Sequence, residues 1–154
     1  MIDAVGDLAG WSSFVPFGDA PSLAPLLPGV YLVRQAHDPL KLIYVGMAGE
    51  RAGSGRPQGL RGRLRVYVSG KAAVSGLGEA VMDRALASPE FLRARVAEAE
   101  AGRAVTVRAM NRLAFDWAAL EVAWATTATK QDALDLERAV LNFLAAEPLW
   151  NKAR

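Results

Sequence analysis

The sequence predicts an α+β fold: a small three-stranded antiparallel sheet flanked by helices, with a helical insert before the third strand. Two short segments rich in β-branched and aromatic residues flank a turn, helical periodicity dominates the middle of the chain, and a last strand-like segment precedes a final helix. The chain has 154 residues, of which 52% are hydrophobic and 22% charged, and this suits one domain with a substantial core. We expect residues 1–154 to form a single domain.

The amino-terminal segment, residues 1–28, contains four prolines with aromatic side chains between them. Because proline fixes φ and lacks an amide hydrogen, we expect an apolar strap with short turns that packs against the domain. Residues 29–35 and 41–48 are rich in β-branched and aromatic residues, and they predict the two strands of a β-hairpin. The intervening residues 36–40 contain an Asp-Pro pair, which predicts the turn.

Residues 46–59 contain five glycines and predict a loop. The third strand is predicted in the second half of residues 117–127, where the sequence alternates. Residues 72–113 are the predicted helical insert before this strand. Helices are predicted over residues 60–69, 78–87, 89–102, 105–113 and 130–146.

Composition excludes several kinds of chemistry. The chain has no cysteine and one histidine, His37 in the predicted turn, so disulfides, thiolate zinc sites and multi-histidine metal sites are excluded. A histidine-based catalytic triad is disfavoured for the same reason, and any chemistry must use Tyr, Arg, Lys, Asp or Glu. No apolar run is long enough to span a bilayer. The amino terminus carries Asp3 and Asp7, where a signal peptide would have basic residues. We therefore expect a cytoplasmic protein that does not enter a membrane.

One residue breaks the pattern of the last predicted helix. At about 100° per residue, Glu137 falls within the apolar stripe formed by Leu134, Val140 and Leu141. An unpaired carboxylate is costly to bury, so proteins pair its charge, shift its pKa or give it a metal ion. An ion pair with an arginine and a metal site both satisfy this pattern.

The helix predicted over residues 60–69 carries three arginines within five residues. Arg63 and Tyr67 lie one turn apart on one flank of it, while Arg61 and Arg65 lie on the other flank. Exposed arginines of this kind serve solubility or general affinity for phosphate. The position of Arg63 beside the apolar face is the more informative one.

Two tyrosines lie on the paired strands of the hairpin, each two residues from a glycine on the same strand face. Gly29-Val30-Tyr31 and Tyr44-Val45-Gly46 resemble the paired signature of the GIY-YIG nuclease superfamily. The arginine helix resembles that of the family, in which the catalytic arginine is followed four residues later by His or Tyr. Glu137 and the segment Pro148-Leu149-Trp150-Asn151 are similar to the metal-ligand glutamate and the closing motif of the family. These elements occur in the family's order and cover residues 29–151 apart from the insert.

The resemblance implies metal-dependent hydrolysis of a phosphodiester bond. It implies that Tyr31 acts as general base or positions water, and that Tyr44 positions water or phosphate. Arg63 would neutralise charge on the phosphate oxygens, with Tyr67 in the position that follows it by four, and Glu137 would hold one Mg²⁺ or Mn²⁺ ion. The residues expected to bind nucleic acid are Arg61, Arg65, Lys71 and Asn151.

The resemblance leaves some points open. Met47 stands where many members of the family have a lysine, and either Lys41 or Arg51 is available to replace it. We expect DNA rather than RNA as substrate, with specificity supplied by the insert, the strap, a homodimer or a partner protein. The alternatives are a nucleic-acid-binding module of the same fold that does not cleave, and an RNA-cleaving toxin or effector nuclease.

Overall fold

A computed structural model of the chain describes residues 5–49, 58–103 and 105–152. These residues form an α+β structure with one antiparallel sheet, which confirms the predicted fold class. The strands are β1 (Val15–Pro16), β2 (Gly29–Gln35), β3 (Asp38–Ala48) and β4 (Leu120–Thr126). A 3₁₀ turn over Phe17–Asp19 follows β1.

Six α-helices lie entirely within the described residues, and each predicted helix has a counterpart among them. They are α1 (Ala20–Leu23), α2 (Gly59–Val68), α3 (Gly76–Leu86), α4 (Pro89–Glu100), α5 (Val107–Ala118) and α6 (Lys130–Phe143). The helix α5 runs five residues beyond its predicted end and stops where Ala119 adopts a left-handed conformation with φ of 48°. None of the helices that the structure describes combines the length and apolarity needed to cross a membrane.

The sheet has four strands in the order β1-β4-β2-β3, so the expectation of three strands was wrong. The additional strand comes from the amino-terminal strap, where Val15 pairs with Val122 and Pro16 with Glu121. A strand of two residues is too short to produce a period-two pattern, and this is why the sequence did not reveal it. Proline is tolerated there because β1 lies at the edge of the sheet.

The hairpin is tighter than predicted. Gln35 pairs with Asp38, so the turn contains only residues 36 and 37, and the Asp-Pro pair begins β3 instead of forming the turn. The register shifts by one residue between the pairs Val33–Tyr44 and Arg34–Leu42, which marks a β-bulge in β3. The extra residue in β3 changes the alternation of side chains between the two faces of the sheet at this point.

The two faces of the sheet have separate cores. On one face, Tyr31 and Tyr44 pack with buried residues of α2, α3 and α5. On the other face, Val30 and Val45 pack with Val140 of α6. The catalytic residues expected on the hairpin and the arginine helix therefore share one layer, while α6 covers the opposite surface of the sheet.

Candidate active site

Three tyrosines from separate parts of the chain form a buried cluster. The rings of Tyr31 on β2 and Tyr44 on β3 stack with centroids 6.2 Å apart, and the ring of Tyr67 on α2 lies edge-on to Tyr31 at 6.3 Å. The Tyr31 and Tyr67 hydroxyl oxygens are 3.2 Å apart and share a hydrogen bond. Tyr31 and Tyr67 are each 1% exposed and Tyr44 is 8% exposed. The structure thus brings together the tyrosines that the sequence singled out.

Two glycines make room for this cluster. Gly46 pairs with Tyr31 across the hairpin, and a Cβ at Gly46 would lie 2.3 Å from the Tyr31 hydroxyl oxygen. A Cβ at Gly29 would lie 2.2 Å from the backbone oxygen of Ala125 and 2.8 Å from a methyl carbon of Leu60. The glycines of the paired motif are therefore required by close approach of a tyrosine ring and of a neighbouring strand.

Arg63 lies at the border between the tyrosine cluster and solvent. It precedes Tyr67 by one turn of α2, and its guanidinium carbon is 5.3 Å from the centroid of the Tyr67 ring. Burial lowers the pKa of Arg63, but the phenols of Tyr67, Tyr31 and Tyr44 outweigh this effect and leave the pKa raised. The side chain stays charged and keeps an exposed surface, so it is available to an anion from solution.

The insert closes over the cluster through the first residues of α3. A Cβ at Gly76, where φ is +51°, would lie 2.7 Å from the Tyr67 hydroxyl oxygen and 3.3 Å from that of Tyr44. The same position is 3.7 Å from Nη2 of Arg63. The backbone N–H of Leu77 donates a hydrogen bond to the Tyr67 hydroxyl at 3.3 Å. Sequence reasoning missed Gly76 because it began this helix at residue 78, although a Ser-Gly pair before a helical pattern is a start signal.

Burial keeps the hydroxyls of Tyr31 and Tyr44 protonated at neutral pH. Burial raises the pKa of Tyr31 well above its ordinary value of 10.0, and the neighbouring Tyr67 and Tyr44 add to this effect while Arg63 opposes it. Burial also raises the pKa of Tyr44, with further contributions from Tyr67 and from the charge of Glu137. At neutral pH both hydroxyls are therefore neutral, and they suit hydrogen bonding better than proton abstraction.

Glu137 is 4% exposed and lies in the buried stripe of α6 with Ala133 and Val140, as the helical pattern predicted. α6 packs on the other face of the sheet, and the charge of Glu137 contributes to raising the pKa of the Tyr44 hydroxyl. Tyr44 lies on β3, the last strand in the order of the sheet. Glu137 interacts with other groups of the protein as well.

Glu137 is the carboxylate that the sequence singled out as a metal ligand. Among the residues that the structure describes, no group of three or more His, Cys, Asp or Glu side chains converges on one point. Mg²⁺ commonly takes one or two carboxylates and completes its shell with water and substrate phosphate, so a single carboxylate such as that of Glu137 could serve it.

Three of the residues expected to bind nucleic acid line one groove on the other flank of α2. The groove has a volume of about 380 Å³, and its lining includes Arg61, Arg65 and Lys71 but no acidic side chain among the described residues. Arg61 also has a structural role, because its Nε donates a hydrogen bond to the backbone oxygen of Ala24 at 2.8 Å. This bond ties α2 to the amino-terminal strap.

Asn151 was expected to contact nucleic acid, but its amide is committed to the backbone of β3. The N–H of Val45 donates to Asn151 Oδ1 at 3.0 Å, and Asn151 Nδ2 donates to the Val45 oxygen at 2.7 Å. The N–H of Trp150 donates to the oxygen of Ile43 at 2.6 Å. Residues 150 and 151 therefore pair with the outer edge of the strand that carries Tyr44, and Asn151 positions this strand.

The cation that shares a cleft with Met47 is neither of the two that the sequence suggested. Lys41 is exposed near the start of β3, and Arg51 lies outside the described residues. The cleft that Met47 lines also contains Arg63 and Lys130, the first residue of α6. The sequence predicted Lys130 only as the first residue of a helix. A cation at a helix N-terminus is unusual, and this was the one feature of the sequence that could have indicated a functional role for Lys130.

Comparison of the chain with protein-family models, with curated proteins and with solved structures finds no match. The resemblance to GIY-YIG nucleases therefore depends on the motif residues themselves.

Proposed function

We propose that this protein is a divalent-metal-dependent endonuclease of the GIY-YIG type that hydrolyses phosphodiester bonds in DNA. The observation that carries the proposal is the convergence of Tyr31, Tyr44, Tyr67 and Arg63 from two strands and a helix. The charge of Glu137 also acts on the Tyr44 hydroxyl. The sequence motifs alone indicate the same five residues. A stability role alone does not require one exposed cation and one buried carboxylate beside the same tyrosines.

Arg63 is the electrostatic element of the proposed reaction. Its guanidinium group is charged and exposed, and the raised pKa values of Tyr31 and Tyr44 keep the phenols beside it neutral at pH 7. A phosphate oxygen bound there gains most when negative charge grows on it during attack. Arg63 therefore stabilises the transition state more strongly than the ground state.

The tyrosines act as neutral groups in this proposal. Because the pKa values of Tyr31 and Tyr44 are raised, their hydroxyls donate or accept hydrogen bonds to a phosphate oxygen or an attacking water. A general-base role for Tyr31 would need the phenolate, which burial disfavours. Tyr67 acts through Tyr31 and is a positioning residue.

Glu137 would hold one Mg²⁺ or Mn²⁺ ion, with water and substrate phosphate completing the coordination shell. When bound, such an ion supplies Lewis-acid stabilisation of charge on phosphate and leaving-group oxygens. Because Glu137 is buried, packing restricts the conformations of its side chain and so fixes the position of the carboxylate. Its own charge also helps to keep the Tyr44 hydroxyl protonated.

The test is nicking of supercoiled plasmid in Mg²⁺ or Mn²⁺ by the wild-type chain and by Glu137→Gln, which preserves volume at the buried site. Asp135→Asn is the matched control, because Asp135 is exposed on the same helix. We expect Glu137→Gln to lose at least a hundredfold in rate and Asp135→Asn to stay within a few fold. Equal nicking by both variants would remove Glu137 from the site.

A second candidate function is binding of nucleic acid without cleavage. The burial of Tyr31 and Tyr67, each 1% exposed, favours it, because substrate must reach the cluster through Arg63 and Tyr44. Salt-sensitive binding with no cleavage of DNA or RNA in either ion would support this reading. Cleavage confined to RNA would instead identify a ribonuclease with the same site.

A further inference from the structure

A second cation shares a cleft with Arg63. The cleft has a volume of about 370 Å³ and lies where the end of β3, the start of α2 and the start of α6 meet. Its described lining contains two basic side chains, Arg63 and Lys130, and no acidic one. The cleft is therefore electropositive and open to solvent beside the proposed reaction centre. The other residues that line it are Met47, Ala48, Gly49, Gln58 and Gly59.

The stem of Lys130 packs closely against a glycine. A Cβ at Gly49 would lie 2.7 Å from Cγ of Lys130 and 3.0 Å from its Cδ, so the lysine side chain would have to shift to admit a larger residue there. The residue as a whole remains exposed. The aliphatic stem thus lies on the backbone while the ammonium group reaches solution, an arrangement typical of lysine at a surface.

Lys130 is poorly placed for the stability of its own helix. It is the first residue of α6, directly after the capping residue Thr129, and a cation near a helix N-terminus is disfavoured by about 0.3–1 kcal/mol. None of the ion pairs between described residues includes Lys130. A residue that breaks a local rule without a compensating partner is a candidate for function.

Lys130 also lies on the face of α6 that carries Glu137. The two residues are seven positions apart, which is close to two turns, or about 10 Å along the helix axis. Arg63 and Lys130 thus share one cleft at the start of the helix that carries Glu137. A nucleic-acid strand bound in this cleft would meet both cations through its phosphates.

We propose that Lys130 binds a phosphate of the substrate strand next to the phosphate bound by Arg63. The ligand is the sugar-phosphate backbone, so the contact adds affinity and fixes register without reading sequence. The inference rests on the proposed nuclease function for the identity of the ligand. It adds a positioning residue on α6 to those expected on the hairpin and the arginine helix.

The test measures affinity apart from cleavage. Binding of a fluorescent DNA duplex, without divalent ion and over a range of salt, is compared for wild type, Lys130→Ala and Lys130→Arg. The control is Arg138→Ala, which removes one exposed cation from the same helix, where it faces Asp135 at 3.6 Å. We expect Lys130→Ala to lose about tenfold in affinity and to reduce the salt slope by about one, with Lys130→Arg near wild type.

Two outcomes overturn the inference: Lys130→Ala binds as tightly as Arg138→Ala, or the wild-type chain binds no nucleic acid. Binding without any cleavage in Mg²⁺ or Mn²⁺ would contradict the nuclease proposal alone, because the Lys130 comparison is then still decided by affinity. In an active enzyme, Lys130→Ala should raise KM more than it lowers kcat. A loss confined to kcat would contradict a phosphate-positioning role.

Discussion

The hydroxyl oxygens of Tyr31 and Tyr67 lie 3.2 Å apart and join the central strand β2 to the arginine helix α2. The Tyr67 hydroxyl also accepts a hydrogen bond from Leu77 N–H, so one buried oxygen links the sheet, the arginine helix and the insert. Arg63 lies one turn from Tyr67 on α2. The position of the cationic residue is therefore set by a hydrogen-bond network beneath it, and this network can be tested separately from catalysis.

Replacing Tyr67 with phenylalanine should destabilise the protein by about 1–3 kcal/mol, because it leaves Leu77 N–H and the Tyr31 hydroxyl without their buried partner. Tyr31→Phe removes the other half of the same hydrogen bond. Urea denaturation of both single variants and the double variant measures the coupling, which we expect to be at least 0.5 kcal/mol. Strictly additive losses would show that the two hydroxyls do not interact.

Gly46→Ala should displace Tyr31, since the added Cβ would lie 2.3 Å from its hydroxyl oxygen. Overpacking of this kind costs about 1–3 kcal/mol, and activity should fall with it. Gly18→Ala is the control, because its Cβ would meet no heavy atom within 4 Å. Thermal unfolding of the two variants gives the comparison, and equal midpoints would contradict the close approach of Tyr31 to the Gly46 backbone.

Alkaline pH should unfold the protein through its tyrosines. Burial raises the pKa of Tyr31 and Tyr44 above 10.0, so the unfolded chain releases these protons before the folded one does. The stabilisation is complete below about pH 10 and is lost as pH rises above it. Spectrophotometric titration should show phenolate from at least two tyrosines appearing together with the unfolding transition. Phenolate from more than one tyrosine in protein that is still folded at pH 10 would contradict this.

Asn151→Ala should loosen the strand that carries Tyr44. The variant loses both hydrogen bonds to Val45 and exposes the edge of β3, at an expected cost of about 1–2 kcal/mol. Lys152→Ala is the neighbouring control, because its bond to Glu79 is a solvent-exposed ion pair that contributes little to stability. Hydrogen exchange at Val45 reports the effect directly, and unchanged protection in Asn151→Ala would rule out the positioning role.

The hairpin, the long helices and the buried glutamate could be predicted from the sequence because each depends on local periodicity. Strand β2 begins and ends where its β-branched residues predicted, and Glu137 lies in the stripe that the helical wheel indicated. The strand β1 could not be predicted, since two residues carry no alternation and their pairing with β4 is more than a hundred positions distant. The left-handed conformation of Ala119, which ends α5, could not be predicted either, because alanine rarely adopts a positive φ.

The site could be predicted in part for a related reason. Residue types and motif spacing indicated Tyr31, Tyr44 and Arg63, but contacts between segments far apart in sequence carry no local signal. Two such long-range contacts are the approach of Gly76 to the tyrosine hydroxyls and the approach of Lys130 to Gly49. The bonds from Asn151 to Val45 are another case, and they give this side chain a structural role that the sequence did not indicate. Its expected contact with nucleic acid stays a prediction.

The most direct test of the central claim is the rate at which Arg63→Ala and Arg65→Ala nick supercoiled plasmid under identical divalent-ion conditions. Both variants remove one exposed arginine from the same helix, but only Arg63 lies beside the tyrosine cluster. We predict that Arg63→Ala loses about a hundredfold to a thousandfold in rate and that Arg65→Ala stays within about tenfold of wild type. Equal rates for the two variants, or no nicking by the wild-type chain, would contradict the account.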